Sequence, residues 1–495
     1  MLKIISNLQE EAMGKKKSVA LIVLISLILA VLLAMSVASF SVPSTVKNYN
    51  SLLSVIDLGC DLGGGYQTVM YPEGVISKEE YQSLVEADEA SAEDYTAYKG
   101  VYLSTDIYSN NEISETFQSE FDTALKIIQR RYENKGFSDY KLRVQDDYTI
   151  IAEIPDTDED ADNVFEKLAL SGMLTFRSSA STANSRNVLM EGTSEYIKSV
   201  EVSGSDETYY VVLNFTKAGR KEFTKITTDL AASSSSDSSS GSSSGASLYV
   251  FMGTEQLMNV SVTEAIDQNY VAISGFTTRS TATSVSVVLD TALHESDRFD
   301  LTFTNSGAAS FTATMGEHAA LYIAIAFGVA ILAMIVAFLI RYKGMGLAHV
   351  YGFLSFAVIY ILCIALIDGI QLTMGGVIAI LLASVIALAC NLLAFKNISD
   401  EFYSGKTLNA AVKSGYKKSL AFTIDIHVIL LIAAIVLWLI SASVVKFAAL
   451  IFLIGIVISA LTTLLLTRFY LYLFLSSAKN KIAFCNFKRE ELEDD

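Results

Sequence analysis

The spacing of its apolar segments constrains this chain more than any other feature. "SVALIVLISLILAVLLAMSVASF", residues 18 to 40, is long and uncharged enough to cross the ~30 Å hydrocarbon core of a bilayer as a helix. The chain then stays polar and mixed from 41 to 318. "AALYIAIAFGVAILAMIVAFLI", 319 to 340, is the next apolar run, and four more follow at 347–367, 374–395, 419–440 and 447–467. One span, a large insert and five spans in quick succession predict an α-helical polytopic membrane protein. It has six transmembrane helices and a large domain between helices 1 and 2.

Composition agrees. Hydrophobic residues make up 52% of the 495 residues and charged residues 18%, with a mean hydropathy of +0.41. The first span follows "KKK" at 15 to 17 and exceeds a signal-peptide core, so it reads as an uncleaved helix. Basic loops ("RYKGMG", 341 to 346; "KNISDEFYSGKTLNAAVKSGYKKS", 396 to 419) alternate with poor ones ("DGIQLT", 368 to 373). The positive-inside rule then puts both termini in the cytoplasm and the insert outside it. The expected map is a cytoplasmic N-terminus 1–17, helix 1 at 18–40 and an extracytoplasmic domain 41–318. A five-helix membrane domain 319–475 and a cytoplasmic tail 476–495 complete it.

Charge divides the same way. Residues 41–318 carry a net −23 and the remainder a net +6. An acidic insert excludes nucleic acid as a partner, because phosphate contacts need a basic face. The four cysteines are scattered without a CxxC and the four histidines lie far apart, so no disulfide framework, metal site or cofactor is expected.

Inside the insert, helical and strand-like stretches alternate. "TFQSEFDTALKIIQRRYENKGF" (116 to 137) sets Phe117, Phe121, Leu125, Ile128 and Tyr132 at helical spacing, with Gly136 as its C-cap. "ADNVFEKLALSG" (161 to 172) reads as a second helix. "YTIIAEIP", "MLTFRSS", "YYVVLNFT", "SLYVFMG" and "SVSVVLD" read as strands. The alternation predicts an α+β domain on mostly antiparallel sheets. "AASSSSDSSSGSSSGAS", 231 to 247, lacks anything to bury and reads as a mobile loop.

Two motifs invite chemistry and do not support it. Gly63 to Gly65 lacks the lysine and helix of a phosphate loop, so a tight turn or close backbone approach is expected. The acids Asp156, Asp158, Glu159, Asp160 and Asp162 lack the glycine and terminal glutamate of a calcium loop and read as a solvated helix start. No catalytic set can be placed, and no enzyme is expected. Small residues at 344–346, 375–376 and 455–460 are expected to let helices approach closely.

Several stretches, in order, resemble the SecD family of the bacterial Sec protein-export machinery. "GCDLGGG", Gly59 to Gly65, is similar to that family's "GLDLRGG" and keeps Gly59, Asp61, Gly64 and Gly65. "IIQRRYENKGF…YTIIAEIPD" keeps Arg131, Gly136 and Pro155 of a second block. "LALSGMLTFRS", "LNFTKAGRKEFTKIT" and "MNVSVTEAIDQNYVAISGFT" follow. "LTMGGVIAILLASVIALACNLLAFKNI" (372 to 398) and "GKTLNAAVKSGYKKSLAFTIDIHVILLIAA" (405 to 434) resemble the membrane half. The resemblance implies an RND-superfamily half of six helices, paired with a SecF-like second half on another chain. It also implies a SecYEG-type channel, unfolded exported polypeptide and the lipid bilayer as partners, and a proton gradient as the driving force.

An ionisable group inside a membrane is costly and so points to function. The family's intramembrane Asp stands at the position of Ala389 here, and the neighbouring Asn391 is kept. Asp425 matches a second family Asp, and His427 replaces an Asn. Asn391, Asp425 and His427 are therefore the polar or proton-relay candidates. Lys396 and Lys418 put Asn391 and Asp425 at similar depth, where the two side chains are expected to hydrogen-bond if their helices pack. His427, two residues on, faces elsewhere. The expected function is a SecD-like export subunit assisting late translocation with SecF. The alternatives are an energy-uncoupled extracytoplasmic binding or assembly module, favoured by Ala389, and another RND-type exporter.

Overall fold

The computed structural model describes residues 15–41, 48–72, 108–109, 112–113, 115–146, 148–157, 159–182, 185–205, 208–236, 246–294, 298–367, 369–441 and 443–487. Its main helices are α1 (Lys15–Val37), α2 (Glu115–Lys135), α3 (Ala161–Leu168), α4 (Lys217–Ser236), α5 (Arg279–Ala292) and α6 (Ala319–Tyr342). They continue as α7 (Gly344–Ala365), α8 (Met374–Tyr403), α9 (Leu408–Ile440), α10 (Ser443–Leu461) and α11 (Thr467–Ser477). A π-helical turn, Thr462–Leu466, joins the last two. Contacts divide the chain into two compact units: Met1–Gly63 with Ala313–Asp495, and Gly64–Thr312.

The first unit is helical. Among the described residues, six helices are long and apolar enough to cross a membrane: α1, α6, α7, α8, α9 and the α10–α11 pair. Three extend well beyond the hydropathy reading. α8 runs on from residue 395 to Tyr403, and α9 starts at Leu408 rather than 419. The last crossing continues through the π-turn to Ser477. Helix propensity carries these ends past the apolar window, which marks only the part suited to hydrocarbon.

Small residues set the packing of this unit. α8 buries Ala379, Ala383 and Ala387 at four-residue spacing. A Cβ on Gly455 of α10 would lie 2.7 Å from the Ala383 Cβ and 2.5 Å from the Tyr360 hydroxyl of α7. Close approach of three helices therefore depends on that missing methyl. Ser26 of α1 bonds Tyr351 of α7 at 2.7 Å, and Ser476 donates to Ser18 at 2.6 Å, fastening α1 to the bundle.

The second unit is α+β, and among the described residues every strand pair is antiparallel. β1 (Gly65–Pro72) is flanked by β3 (Ile150–Pro155) and β11 (Phe303–Asn305), with β2 (Lys141–Val144) beyond β3 and β12 (Ala309–Phe311) also on β1. A second sheet has the order β9 (Glu255–Val262), β8 (Ala246–Met252), β4 (Leu174–Arg177), β5 (Val188–Glu191). A third has β6 (Ile197–Ser205), β7 (Thr208–Phe215), β10 (Tyr270–Phe276). A hydrophobic core shared by α2 to α5 and these sheets holds them together.

Local sequence explains α2. Phe117, Phe121, Ile128 and Tyr132 are buried, and Gly136 at φ +100° ends the helix. The Phe137 amide bonds back to the Tyr132 carbonyl at 3.1 Å. Gly65 has no room for a side chain: a Cβ would lie 2.0 Å from the Ile154 carbonyl oxygen across the β1–β3 ladder. Gly64 takes φ +79° one residue earlier.

Two readings fail in this unit. "SVSVVLD" is not a strand but the middle of α5. Thr278 caps that helix by accepting from the Thr281 amide at 3.2 Å. Ser284, Val285, Ser286, Val287, Val288 and Leu289 are all buried. The Ser–Val alternation of residues 284–287 carries a strand's period of two, and its β-branched residues favour strands. The serine-rich loop is also shorter than 231–247. Residues 231–236 finish α4, residues 246–247 begin β8, and 237–245 lie outside the described residues.

The acidic run is not simply solvated. Asp160 caps α3, accepting from the Asp162 amide at 3.3 Å. Glu159 is buried and pairs with Lys135 at 2.8 Å, and the Ser280 and Ser284 hydroxyls donate to it. Burial holds the Lys135 ammonium below the ordinary lysine range. Asp158 lies outside the described residues. Beside this pair, Arg131 is almost wholly buried. It donates to Thr291 Oγ1 at 2.9 Å and to the carbonyls of Leu168 and Leu170 at 3.0 and 2.6 Å, and lies over the Phe299 ring. Desolvation pushes its guanidinium down to about 9, so it stays charged at neutral pH.

Candidate intramembrane polar site

The candidate site is built on α8, α9 and α10, which pack on one another. α8 is held at its start by two acceptors. Thr373 Oγ1 accepts from the Gly376 amide at 3.2 Å, and Asp61 Oδ2 accepts from the Met374 amide at 2.6 Å. Asp61 comes from "GCDLGGG". That loop is tied down further: Gly59 N bonds Leu372 O at 3.0 Å, Leu372 N bonds Asp57 O at 2.7 Å, and Met315 N bonds Asp61 O at 3.0 Å. The carboxylate thus caps α8 and complements its positive end.

The polar candidates separate by face. Asn391 is buried: its Nδ2 donates to the Ala387 carbonyl one turn back at 3.0 Å, while its Oδ1 is buried with no partner. Ala389 faces the open side of α8 with Ile378, Leu381, Leu382 and Val385. Asp425 also lies on an open face, that of α9, among exposed Phe422, Ile424, Val428 and Ile429. It does not meet Asn391. The expected Asn391–Asp425 hydrogen bond is absent, because depth along a helix leaves the direction of a side chain around it undetermined.

His427 is the candidate that faces inward. Nδ1 lies 2.7 Å from the Thr423 carbonyl and Nε2 lies 3.0 Å from Ser459 Oγ of α10. A carbonyl only accepts, so the neutral ring carries its proton on Nδ1 and Nε2 accepts from the serine hydroxyl. The ring can take a second proton at Nε2 if the hydroxyl reverses. The π-turn begins three residues beyond Ser459, where Thr462 Oγ1 donates to the Ile458 carbonyl at 2.9 Å. Such turns recur at functional positions in helices.

Two further ionisable residues, His349 and Arg468, carry no motif that marks them in the sequence. His349 of α7 is fully buried, its ring stacked on Phe338 at 4.2 Å, and neither nitrogen has a partner. Arg468 of α11 lies between the Tyr416 and Tyr472 rings. A hydropathy window ending at 467 excluded it, although the helix goes on.

Comparison with known proteins agrees with this architecture. The family model for the protein export membrane protein SecD/SecF, C-terminal, matches residues 291–476. The protein translocase subunit SecD of Acidaminococcus fermentans is 24% identical over 388 residues, 76% of this chain and 85% of that protein. The chain is thus similar to SecD proteins along most of its length. The SecD of Desulfurispirillum indicum is likewise 24% identical, over 73% of each chain. A crystal structure of SecDF in its super-membrane-facing form shares the fold, with a TM-score of 0.53 at 18% identity. The match covers 93% of this chain, which spans 58% of the SecDF chain.

Proposed function

We propose that this chain acts in protein export as one membrane half of a two-half assembly. A SecF-like second half seats on the open faces of α8 and α9. Both termini lie in the cytoplasm, and the Gly64–Thr312 unit stands outside the cytoplasmic membrane, where it handles unfolded exported polypeptide late in passage through a SecYEG-type channel. Asp425 carries the reading. It sits on an open face among Phe422, Ile424, Val428 and Ile429, 7 residues along α9 from Lys418. A carboxylate left facing lipid costs about 3 kcal/mol. A second membrane surface with a donor or cation at that depth removes the cost.

Proton coupling then falls to Asp425 at that interface and His427 behind it. The test is export of a secreted reporter in cells depleted of this chain and restored with wild type, Asp425→Asn or His427→Ala. The reading predicts that a substituted chain restores less gradient-dependent export than wild type. Equal restoration by all three, with and without a proton gradient, would rule out titration at these residues.

The second reading is an uncoupled module that binds exported chains without using the gradient. Ala389 favours it, since this open position of α8 carries no carboxylate. Under that reading no chain responds to the gradient, and Ala389→Asp leaves export unchanged.

A further inference from the structure

Arg468 of α11 has two aromatic rings against its guanidinium. Its guanidinium lies 5.5 Å from the centroid of Tyr416 on α9 and 5.8 Å from that of Tyr472 on its own helix. Its Nε is buried without an acceptor, and among the described residues no carboxylate pairs with it. The Tyr416 hydroxyl, on a side chain only 7% exposed, is also buried without a partner. Two donors with nothing to donate to therefore lie side by side. Unsatisfied buried donors are rare and costly, so their coincidence marks a place for an acceptor.

Depth says which acceptor. Tyr416 lies 24 residues before Ile440, the far end of α9, and Arg468 lies 24 residues after Val444, near the far end of α10. That is about 36 Å of helix in each case. It exceeds the ~30 Å hydrocarbon core, so both residues lie at headgroup level. Lys413, one turn from Tyr416, and Lys417 are exposed beside them without carboxylate partners among the described residues. We propose that Arg468, Tyr416 and Tyr472 form a binding site for the phosphate of an anionic lipid headgroup. Arg468 supplies charge and a fork of N–H donors, the Tyr416 hydroxyl donates to a further phosphate oxygen, and the two rings hold the guanidinium in place.

The test uses the full chain, purified and stripped of lipid. Native mass spectrometry counts the lipid retained after exposure to phosphatidylglycerol or phosphatidylcholine. Phosphatidylglycerol is expected to be retained preferentially. Arg468→Gln is expected to lower its retention about fivefold, the effect of one basic residue at a membrane surface. Tyr416→Phe, which keeps the ring and removes only the hydroxyl, is expected to lower it by a smaller factor. Lys417→Gln, which removes a charge from the same segment, is expected to change it less than either. Unchanged retention in both Arg468→Gln and Tyr416→Phe, or an equal loss in Lys417→Gln, would overturn the site. Saturable binding of inorganic phosphate with no preference for phosphatidylglycerol would overturn the lipid assignment.

Discussion

The Asp61 carboxylate accepts a hydrogen bond from the Met374 amide at 2.6 Å, joining the glycine-rich loop that leads into the inserted unit to the first residue of α8. The chain leaves the helical unit just after this loop, at Gly63, and returns at Ala313. One side chain thus ties the exit point to the helix that carries Ala389 and Asn391. Asp61→Ala is expected to lower stability by about 1–2 kcal/mol, the worth of a charged cap. Hydrogen exchange at the amides of Met374 to Gly376 checks this, with faster exchange expected there first. Asp61→Asn retains an acceptor and is expected to lose less.

Arg131→Met removes the shared donor of Leu168, Leu170 and Thr291. Leaving those groups buried and unsatisfied is expected to cost about 3 kcal/mol. Pulse proteolysis of the full chain in urea measures the loss.

Glu159→Gln leaves the Lys135 ammonium buried without its charge partner and is expected to cost about 3–5 kcal/mol. Lys135→Met in the same background should recover part of that loss. Wild-type stability also carries a pH signature. The folded-state pKa of Lys135 is lowered, so the unfolded chain binds more protons once pH exceeds that value. The burial cost is present below it and is relieved as pH rises toward the ordinary lysine range. Lys135→Met should flatten that alkaline rise, as read from urea midpoints across the range.

Gly455→Ala places a methyl 2.5 Å from the Tyr360 hydroxyl and 2.7 Å from Ala383. Tyr360 cannot yield freely, because it donates to the Ile451 carbonyl at 2.7 Å. The substitution is expected to cost about 1–3 kcal/mol. Gly375→Ala, whose nearest contact is 3.3 Å, should be close to neutral. Thermal unfolding of the two variants in the same detergent separates them.

Sequence revealed most where a single period dominates. The apolar spans and the Phe117–Phe121–Ile128–Tyr132 stripe of α2 were legible because burial on one face, or all round, leaves a clear pattern. It was least legible where packing overrides pattern. α5 hides behind the Ser–Val alternation of residues 284–287, which reads as a strand. Glu159 reads as one of several surface acids until Lys135 and Ser284 close over it. At the candidate site, loop lysines placed Asn391 and Asp425 at one depth, yet only the packing of α8 on α9 and α10 turns Asn391 inward and Asp425 outward. His427 was separable from Asp425 by the helical repeat alone. Its partner, Ser459, was not, since it lies on a different helix.

In the proposed assembly, the Asp425 face of α9 is covered by a second membrane half. A photocrosslinking residue at Ile429, one turn from Asp425 on the same open face, tests it directly in intact cell membranes. A discrete adduct identified by mass spectrometry as a SecF-like six-helix chain is expected, weakened when Asp425 is changed to Leu. Adducts to lipid alone, at Ile429 and at neighbouring exposed positions of α9, would contradict it.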